Sequence, residues 1–333
     1  MTIKDIAKYA GVSTATVSRV INNTGFVSPE YEDKVLKVIE EVGYVPNSIA
    51  RSLKMTTTYT VGFLVSDISN KYFMSIAKSI EDVIGREKFN LIVASTEGDA
   101  ERELTYLNMF LGKKVDGIII NTTGKNDNYI AKLSRRVPTI LLHRKLTCGE
   151  FVGDLVDSNN ISGGYSLAKE LLLKGHKEIA IISGPLNLST GKERYEGMVR
   201  AFKEHDLEFS EEFLYEGDFT LESGYSGAKE ILSKNNKPSA IILANNQMAI
   251  GALTYLKESN INIPEDISVV VYGNIDLQNL LFVNLTSTTQ DPWALGKRAG
   301  ELILNRIDKG RTQNVESIFD SSLIIGDSVK ALT

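Results

Sequence analysis

The sequence predicts two kinds of structure in one chain. A small all-α segment of three helices comes first, followed by a long α/β region of two doubly wound parallel sheets. Three observations carry this prediction. Residues 1–45 carry short apolar stripes at helical spacing, interrupted by Gly11 and Gly43. From Thr60 the pattern changes to short apolar runs alternating with helical periods, the signature of repeated βα units. At 333 residues the chain is too long for one compact domain.

The first helix starts at Thr2, which can cap it, with Asp5 placed to reach back in a capping box. Ile3, Ile6, Ala7 and Ala10 form one apolar face, and Gly11 stops the helix because it accepts the left-handed conformation cheaply. Ser13 caps a second helix that turns Val17, Val20 and Ile21 inward. Its other face shows Thr14, Ala15, Thr16, Ser18, Arg19 and Asn22. A third helix begins at Ser28-Pro29, buries Val35, Leu36, Val38, Ile39 and Val42, and ends at Gly43. A helix, a glycine-containing turn and a second helix with small polar residues describe a helix-turn-helix, although an ordinary helical hairpin has the same topology.

The order of residues decides between them. Thr2-Ile-Lys-Asp-Ile-Ala7, then Ala10-Gly-Val-Ser13, then Ala15-Thr-Val-Ser-Arg-Val-Ile-Asn22 closely resembles the headpiece signature of the LacI family of bacterial repressors. The resemblance implies a recognition helix in the DNA major groove, read by Thr14, Ala15, Thr16, Ser18, Arg19 and Asn22. Pro46-Asn47, followed by Ala50-Arg51-Ser52-Leu53, resembles the family's hinge helix, so residues 46–59 are expected to be hinge and linker. The resemblance places Leu53 as a wedge in a minor-groove base step, with Asn47, Ala50, Arg51 and Lys54 beside it on the DNA. Without the resemblance this stretch is a plain linker, too short for an independently stable helix.

Apolar runs at 61–65, 91–94, 115–120, 139–142, 179–182, 240–243 and 269–271 alternate with helical periods. Phrases such as Asp67-Ile-Ser-Asn70, Gly175-His-Lys-Glu-Ile-Ala180 and Pro264-Glu-Asp-Ile-Ser-Val269 resemble the family's type I periplasmic-binding-protein-like core. That fold implies two lobes joined by three crossings. The near lobe is expected at about 60–157 and 289–316, and the far lobe at about 158–288 and 317–333. Residues 318–329 read as a closing pair of strands. No leucine heptads follow, so a homodimer is expected rather than a tetramer.

The net charge of -5 argues against a bulk polyanion binder. Residues 1–58 hold seven Lys/Arg against six Asp/Glu, so DNA affinity has to come from geometry and dimerisation as well as charge. One cysteine, Cys148, excludes an intrachain disulfide. No apolar leader and no membrane-length apolar run occur, which fits a cytoplasmic protein. No metal-ligand spacing, Walker loop or nucleophile elbow appears, so neither an enzyme, a metal nor a cofactor is expected.

Ligands in open α/β sheets bind beyond the carboxyl ends of strands. The resemblance places Asn70, Tyr72 and Phe73 against a ligand ring, with Lys71 where many relatives have proline. It adds Thr190 and Arg194 from the 189–195 phrase, Phe219, and Gln290 at the last crossing. Three departures stand out. His143-Arg144 replaces Asp-Arg, Asn245-Asn246 replaces Asn-Asp, and Tyr272-Gly-Asn274 replaces an aromatic followed by two aspartates. Each departure removes a carboxylate that sugar-binding relatives use. The expected effector is therefore carbohydrate-like and anionic, a sugar acid or sugar phosphate, with a neutral sugar read through amides as the alternative. The expected function is a sequence-specific transcriptional regulator, a repressor binding a pseudo-palindromic double-stranded operator under effector control. Residues 60–333 alone would equally suit a solute-binding protein of a transporter.

Overall fold

The computed structural model describes residues 1–22, 24–44, 57–275, 283–310 and 313–332, with the Asn22 side chain left aside. The expected hinge residues Asn47, Ala50, Arg51, Leu53 and Lys54 lie outside the described residues. The chain divides into two compact units, Met1–Thr58 and Tyr59–Thr333.

In the first unit, α1 (Ile3–Ala10) begins with the expected capping box. The Thr2 hydroxyl accepts from the Asp5 amide and the Asp5 carboxylate accepts from the Thr2 amide at 2.8 Å. Gly11 closes the helix at φ 65°, where a residue with a Cβ would be strained. In α2 (Thr14–Asn22) the Ser13 hydroxyl accepts from the Thr16 amide at 3.1 Å, the expected cap. The third helix, α3 (Pro29–Glu41), has Pro29 in its first turn, but Ser28 makes no side-chain cap bond. Ile6, Ala7, Ala10, Val17 and Val35 form the small core, with Val20, Ile21, Val38 and Ile39 packed around it. Ile3 and Leu36, both expected inside, are exposed. Three short helices enclose too little volume to cover every apolar side chain.

The second unit is built as β1 (Thr60–Val65), α4 (Lys71–Arg86), β2 (Asn90–Ser95), α5 (Ala100–Gly112), β3 (Gly117–Ile120), α6 (Asp127–Ser134), β4 (Thr139–Leu142), β5 (Asp154–Ser158), α7 (Asn160–Leu173), β6 (Ile179–Ser183), α8 (Ser189–Glu204), β7 (Leu214–Glu216), α9 (Leu221–Ser233), β8 (Ala240–Leu243), α10 (Asn246–Glu258), β9 (Ser268–Tyr272), β10 (Thr286–Thr289), α11 (Pro292–Lys309), β11 (Glu316–Phe319) and β12 (Ser322–Ile324). Two six-stranded sheets result, ordered β11-β5-β4-β3-β1-β2 and β12-β10-β9-β8-β6-β7. Among the described residues every pairing is parallel except β10 with β12. Strands such as Gly117–Ile120 and Ala240–Leu243 are buried throughout because helices cover both sheet faces. Each buried Ile, Leu or Val contributes roughly 1.5–3 kcal/mol relative to exposure.

The lobe boundaries shift by a few residues from those expected. β5 carries the near sheet to Ser158, and Thr289 ends β10 in the far sheet. β11 pairs with β5, so residues 317–319 belong to the near sheet rather than the far lobe. The strands expected to close as a pair instead enter different sheets, because the chain crosses lobes between Phe319 and Ser322. A buried ion pair anchors the start of β11, at the end of the strand away from this crossing. Both Asp154 carboxylate oxygens accept from the Arg306 guanidinium at 2.8 Å, and Asp154 also accepts from the Val315 amide at 2.7 Å.

Candidate functional site

The carboxyl ends of both sheets face a cavity of about 600 Å³. Strand ends deliver its near wall: Ser66 follows β1, Asn121 follows β3, and His143-Arg144 follows β4. The start of α4 adds Asn70, Tyr72 and Phe73. The far wall comes from Thr190 and Arg194 of α8, Phe219 before α9, Asn245 and Asn246 at the start of α10, and Tyr272 to Asn274 after β9. Gln290 lies at the crossing between the lobes.

Two guanidinium groups form the floor. Arg144 and Arg194 are each only 8% exposed. Arg144 donates to the Thr122 carbonyl at 2.7 Å. Arg194 donates to the Asn160 side-chain oxygen at 3.0 Å and to the Ala244 carbonyl at 2.7 Å. Among the described residues neither has a carboxylate within ion-pair distance. The Phe219 ring sits 5.7 Å from both guanidinium carbons, and Arg194 lies 3.9 Å over the Tyr272 ring. Burial pushes the Arg144 pKa down to about 10, and the positive charge of Arg194 adds to the shift, with Glu103 opposing it. Fully buried Glu103 accepts from Thr123 and Asn126, and so fixes the 121–126 loop whose carbonyl holds Arg144.

Backbone strain gathers here. His143 and Phe219 adopt φ of 65° and 71°, a left-handed region uncommon for residues with side chains. Phe219 is held by Asn245, which donates to its carbonyl at 3.0 Å. Gly184 leaves room for the ring, since a Cβ there would lie 2.0 Å from the Phe219 Cζ. Asn245 also caps α10 through the Met248 amide, so its amide group is committed to the protein. Among the described residues, three polar atoms on cavity residues have no partner: Asn121 Oδ1, Thr190 Oγ1 and Gln290 Nε2. Buried polar atoms are nearly always bonded, so these are candidates for ligand contact.

The structure brings together the sequence-predicted Asn70, Tyr72, Phe73, His143, Arg144, Thr190, Arg194, Phe219, Asn245, Asn246, Tyr272, Asn274 and Gln290 around one cavity. Lys71 is not among the lining residues. As the first residue of α4 its side chain is exposed. The expectation of a less negative cleft holds for the floor but not the mouth, where Asp67, Glu97, Asp218 and Glu222 line the rim. Asn121 and Ser66 were missed, although each directly follows a strand, the position that the sheet rule marks.

In α2, Thr14, Ala15 and Arg19 are exposed, and Thr16 and Ser18 are half-buried. The Thr16 hydroxyl is shared with the Ser13 cap at 2.9 Å. The Arg19 stem runs beside Gly25.

A family model described as periplasmic binding proteins and sugar binding domain of LacI family matches residues 58–325, and one for bacterial regulatory proteins of the lacI family matches residues 2–47. The chain belongs to the LacI family. It is a DNA-binding transcriptional regulator of that family, as the headpiece resemblance implied. An HTH-type transcriptional repressor PurR from Histophilus somni (strain 2336) is 37% identical over 336 residues, covering 99% of each chain. Among solved structures, a CelR transcriptional regulator in complex with cellobiose is 29% identical, with TM-score 0.74, covering 98% of this chain and 99% of that one. A Lac repressor dimer bound to operator and the anti-inducer ONPF is 25% identical, with TM-score 0.86 and 99% coverage of both chains. The LacI-family architecture accounts for both units, the helical one and the two-sheet one. Among the described residues, no helix is long and apolar enough to cross a membrane.

Proposed function

We propose that this chain is a cytoplasmic, homodimeric repressor that reads a pseudo-palindromic operator through Thr14–Asn22, and that an anionic, sugar-like effector in the 600 Å³ cavity controls it. The Lac repressor neighbour is a dimer on its operator, and a symmetric dimer presents two recognition helices to a palindrome. The observation that carries the effector class is the pair of buried guanidinium groups, Arg144 and Arg194, with no carboxylate partner among the described residues. A buried, uncompensated charge is costly, and a bound carboxylate or phosphate removes that cost with bidentate, charge-assisted hydrogen bonds. The Gln290 amide and the Thr190 hydroxyl suit the hydroxyls of a sugar skeleton, and the CelR neighbour holds a sugar.

A second reading is a flat nitrogen base, favoured by the aromatic lining of Tyr72, Phe73, Phe219 and Tyr272. Thermal unfolding of the full chain separates these readings. D-gluconate and 6-phosphogluconate are expected to stabilise it, by roughly 2.7 kcal/mol at a hundredfold excess over Kd. D-glucose and a purine base are expected to leave it unchanged. Stabilisation by the neutral sugar or the base alone overturns the anion assignment.

A further inference from the structure

Three side chains are bonded in series from the cavity wall inward. The His143 Nδ1 lies 3.4 Å from Asp157 Oδ1, and its Nε2 lies 3.1 Å from the Tyr72 hydroxyl. Asp157 is 1% exposed and already accepts from the Ser158 amide at 2.7 Å and from the Asn160 amide group. An ionised carboxylate is an acceptor only, so it favours a proton on His143 Nδ1 over a lone pair facing it. A neutral imidazole with hydrogen on Nδ1 has only a lone pair on Nε2. The Tyr72 hydroxyl then has to donate its single proton to His143. Burial keeps that phenol protonated, its pKa well above the ordinary tyrosine value. With its proton spent, Tyr72 faces the cavity as an acceptor. His143 itself is held in a left-handed backbone conformation and is 5% exposed, so its ring has little freedom to leave the series.

We propose that His143 is a positioning residue that, with Asp157 behind it, fixes the Tyr72 oxygen as a hydrogen-bond acceptor. The site thereby selects anions that also carry a hydroxyl, hydroxy acids, over hydroxyl-free acids. This rests on the anion reading above and adds a second recognition element to it. The arginines take the acid group, and the Tyr72 oxygen accepts a hydrogen bond from a hydroxyl. The sequence departure at His143 thus exchanges a family carboxylate for an indirectly placed acceptor.

The tautomer can be read without any ligand, by imidazole nitrogen NMR on the full-length protein. The chain has three histidines, so a His143→Gln variant assigns the signal. The expected result is hydrogen on Nδ1 and a bare Nε2, shifting toward the opposite tautomer in Asp157→Asn. Hydrogen on Nε2 in the wild type overturns the proposal, whether or not the Asp157 variant folds. For selectivity, calorimetry with D-gluconate and hexanoate is compared between wild type and Tyr72→Phe. The expected result is about a tenfold loss of gluconate affinity with hexanoate unchanged; equal loss on both overturns the selectivity. If neither acid binds, the selectivity falls together with the anion reading, and the tautomer result shows whether the hydrogen-bond series itself stands.

Discussion

Asn70 and Asn246 exchange two side-chain hydrogen bonds across the cleft. Asn70 donates to Asn246 at 3.2 Å and Asn246 donates back to Asn70 at 3.1 Å. Asn70 caps α4 in the near lobe through the Tyr72 amide, and Asn246 is the first residue of α10 in the far lobe. The two helix starts are therefore clasped directly. The two variants of this clasp are not equivalent. Asn246→Ala removes the clasp alone, worth roughly 1–3 kcal/mol for two hydrogen bonds. Asn70→Ala removes the clasp and a helix cap, adding about 1 kcal/mol. Chemical denaturation should rank Asn70→Ala as the more destabilised, and small-angle scattering should show both variants more open than wild type. Equal stability of the two variants would contradict the double role of Asn70.

Arg144 carries a specific pH signature. Burial holds its pKa at about 10 in the folded chain, below the unfolded value, so above pH 10 the unfolded chain binds more protons than the folded one. Stability therefore rises as pH climbs above about 10, and the full penalty is present at neutral pH. That penalty is roughly 3 kcal/mol, offset by about 1 kcal/mol for the bond to the Thr122 carbonyl. Arg144→Met is expected to raise ligand-free stability by about 1–2 kcal/mol and to abolish stabilisation by anions. Urea unfolding with and without 6-phosphogluconate checks both halves. A destabilised variant that still responds to the anion would remove Arg144 from the floor of the site.

The three helices of the first unit were legible from their caps and apolar spacing, and the apolar strands because burial on both faces demands continuous Val, Ile and Leu. Strands β5 and β10 were not, and the reasons are particular. β10 is Thr286-Ser-Thr-Thr289, buried yet wholly polar, its groups satisfied by Ser328, Gly326 and the Gly273 amide. β5 is Asp154-Leu-Val-Asp-Ser158, with two aspartates committed inward to Arg306 and toward His143. No alternation or apolar run marks either strand. The pocket was legible because family phrases fix positions one by one. Lys71 failed because chemistry was inferred from sequence neighbours, and the first residue of a capped helix points away from the residues beside it. The series from Asp157 to Tyr72 was invisible, since it joins three elements distant in sequence.

The Asp154–Arg306 pair should dominate the stability of the near sheet. Both groups are almost fully buried, and breaking such a pair from one side costs about 3–5 kcal/mol. Arg306→Met leaves the Asp154 carboxylate buried without its guanidinium, so its stability should drop sharply, with amide exchange accelerating first in β11 and β5. A change below about 1 kcal/mol would show that the bond from the Val315 amide to Asp154 suffices to hold the start of β11.

The capping box of α1 makes a local prediction in the helical unit. Thr2→Ala removes both the hydroxyl that accepts from Asp5 and the geometry that lets Asp5 reach back. A loss of about 1 kcal/mol is expected, seen as faster amide exchange in residues 3–10 of the full chain. Unchanged exchange there would mean that Ile6, Ala7 and Ala10 hold the helix without the cap.

Operator affinity in the presence of candidate effectors tests the central claim most directly. Selection from randomised duplexes gives the operator, and fluorescence anisotropy then measures binding at fixed salt. D-gluconate or 6-phosphogluconate is expected to change operator affinity by about tenfold or more, within the range of ordinary allosteric coupling, and the response is expected to vanish in Arg194→Gln. A response to D-glucose or a purine base alone, or an anion response that survives Arg194→Gln, would contradict that claim.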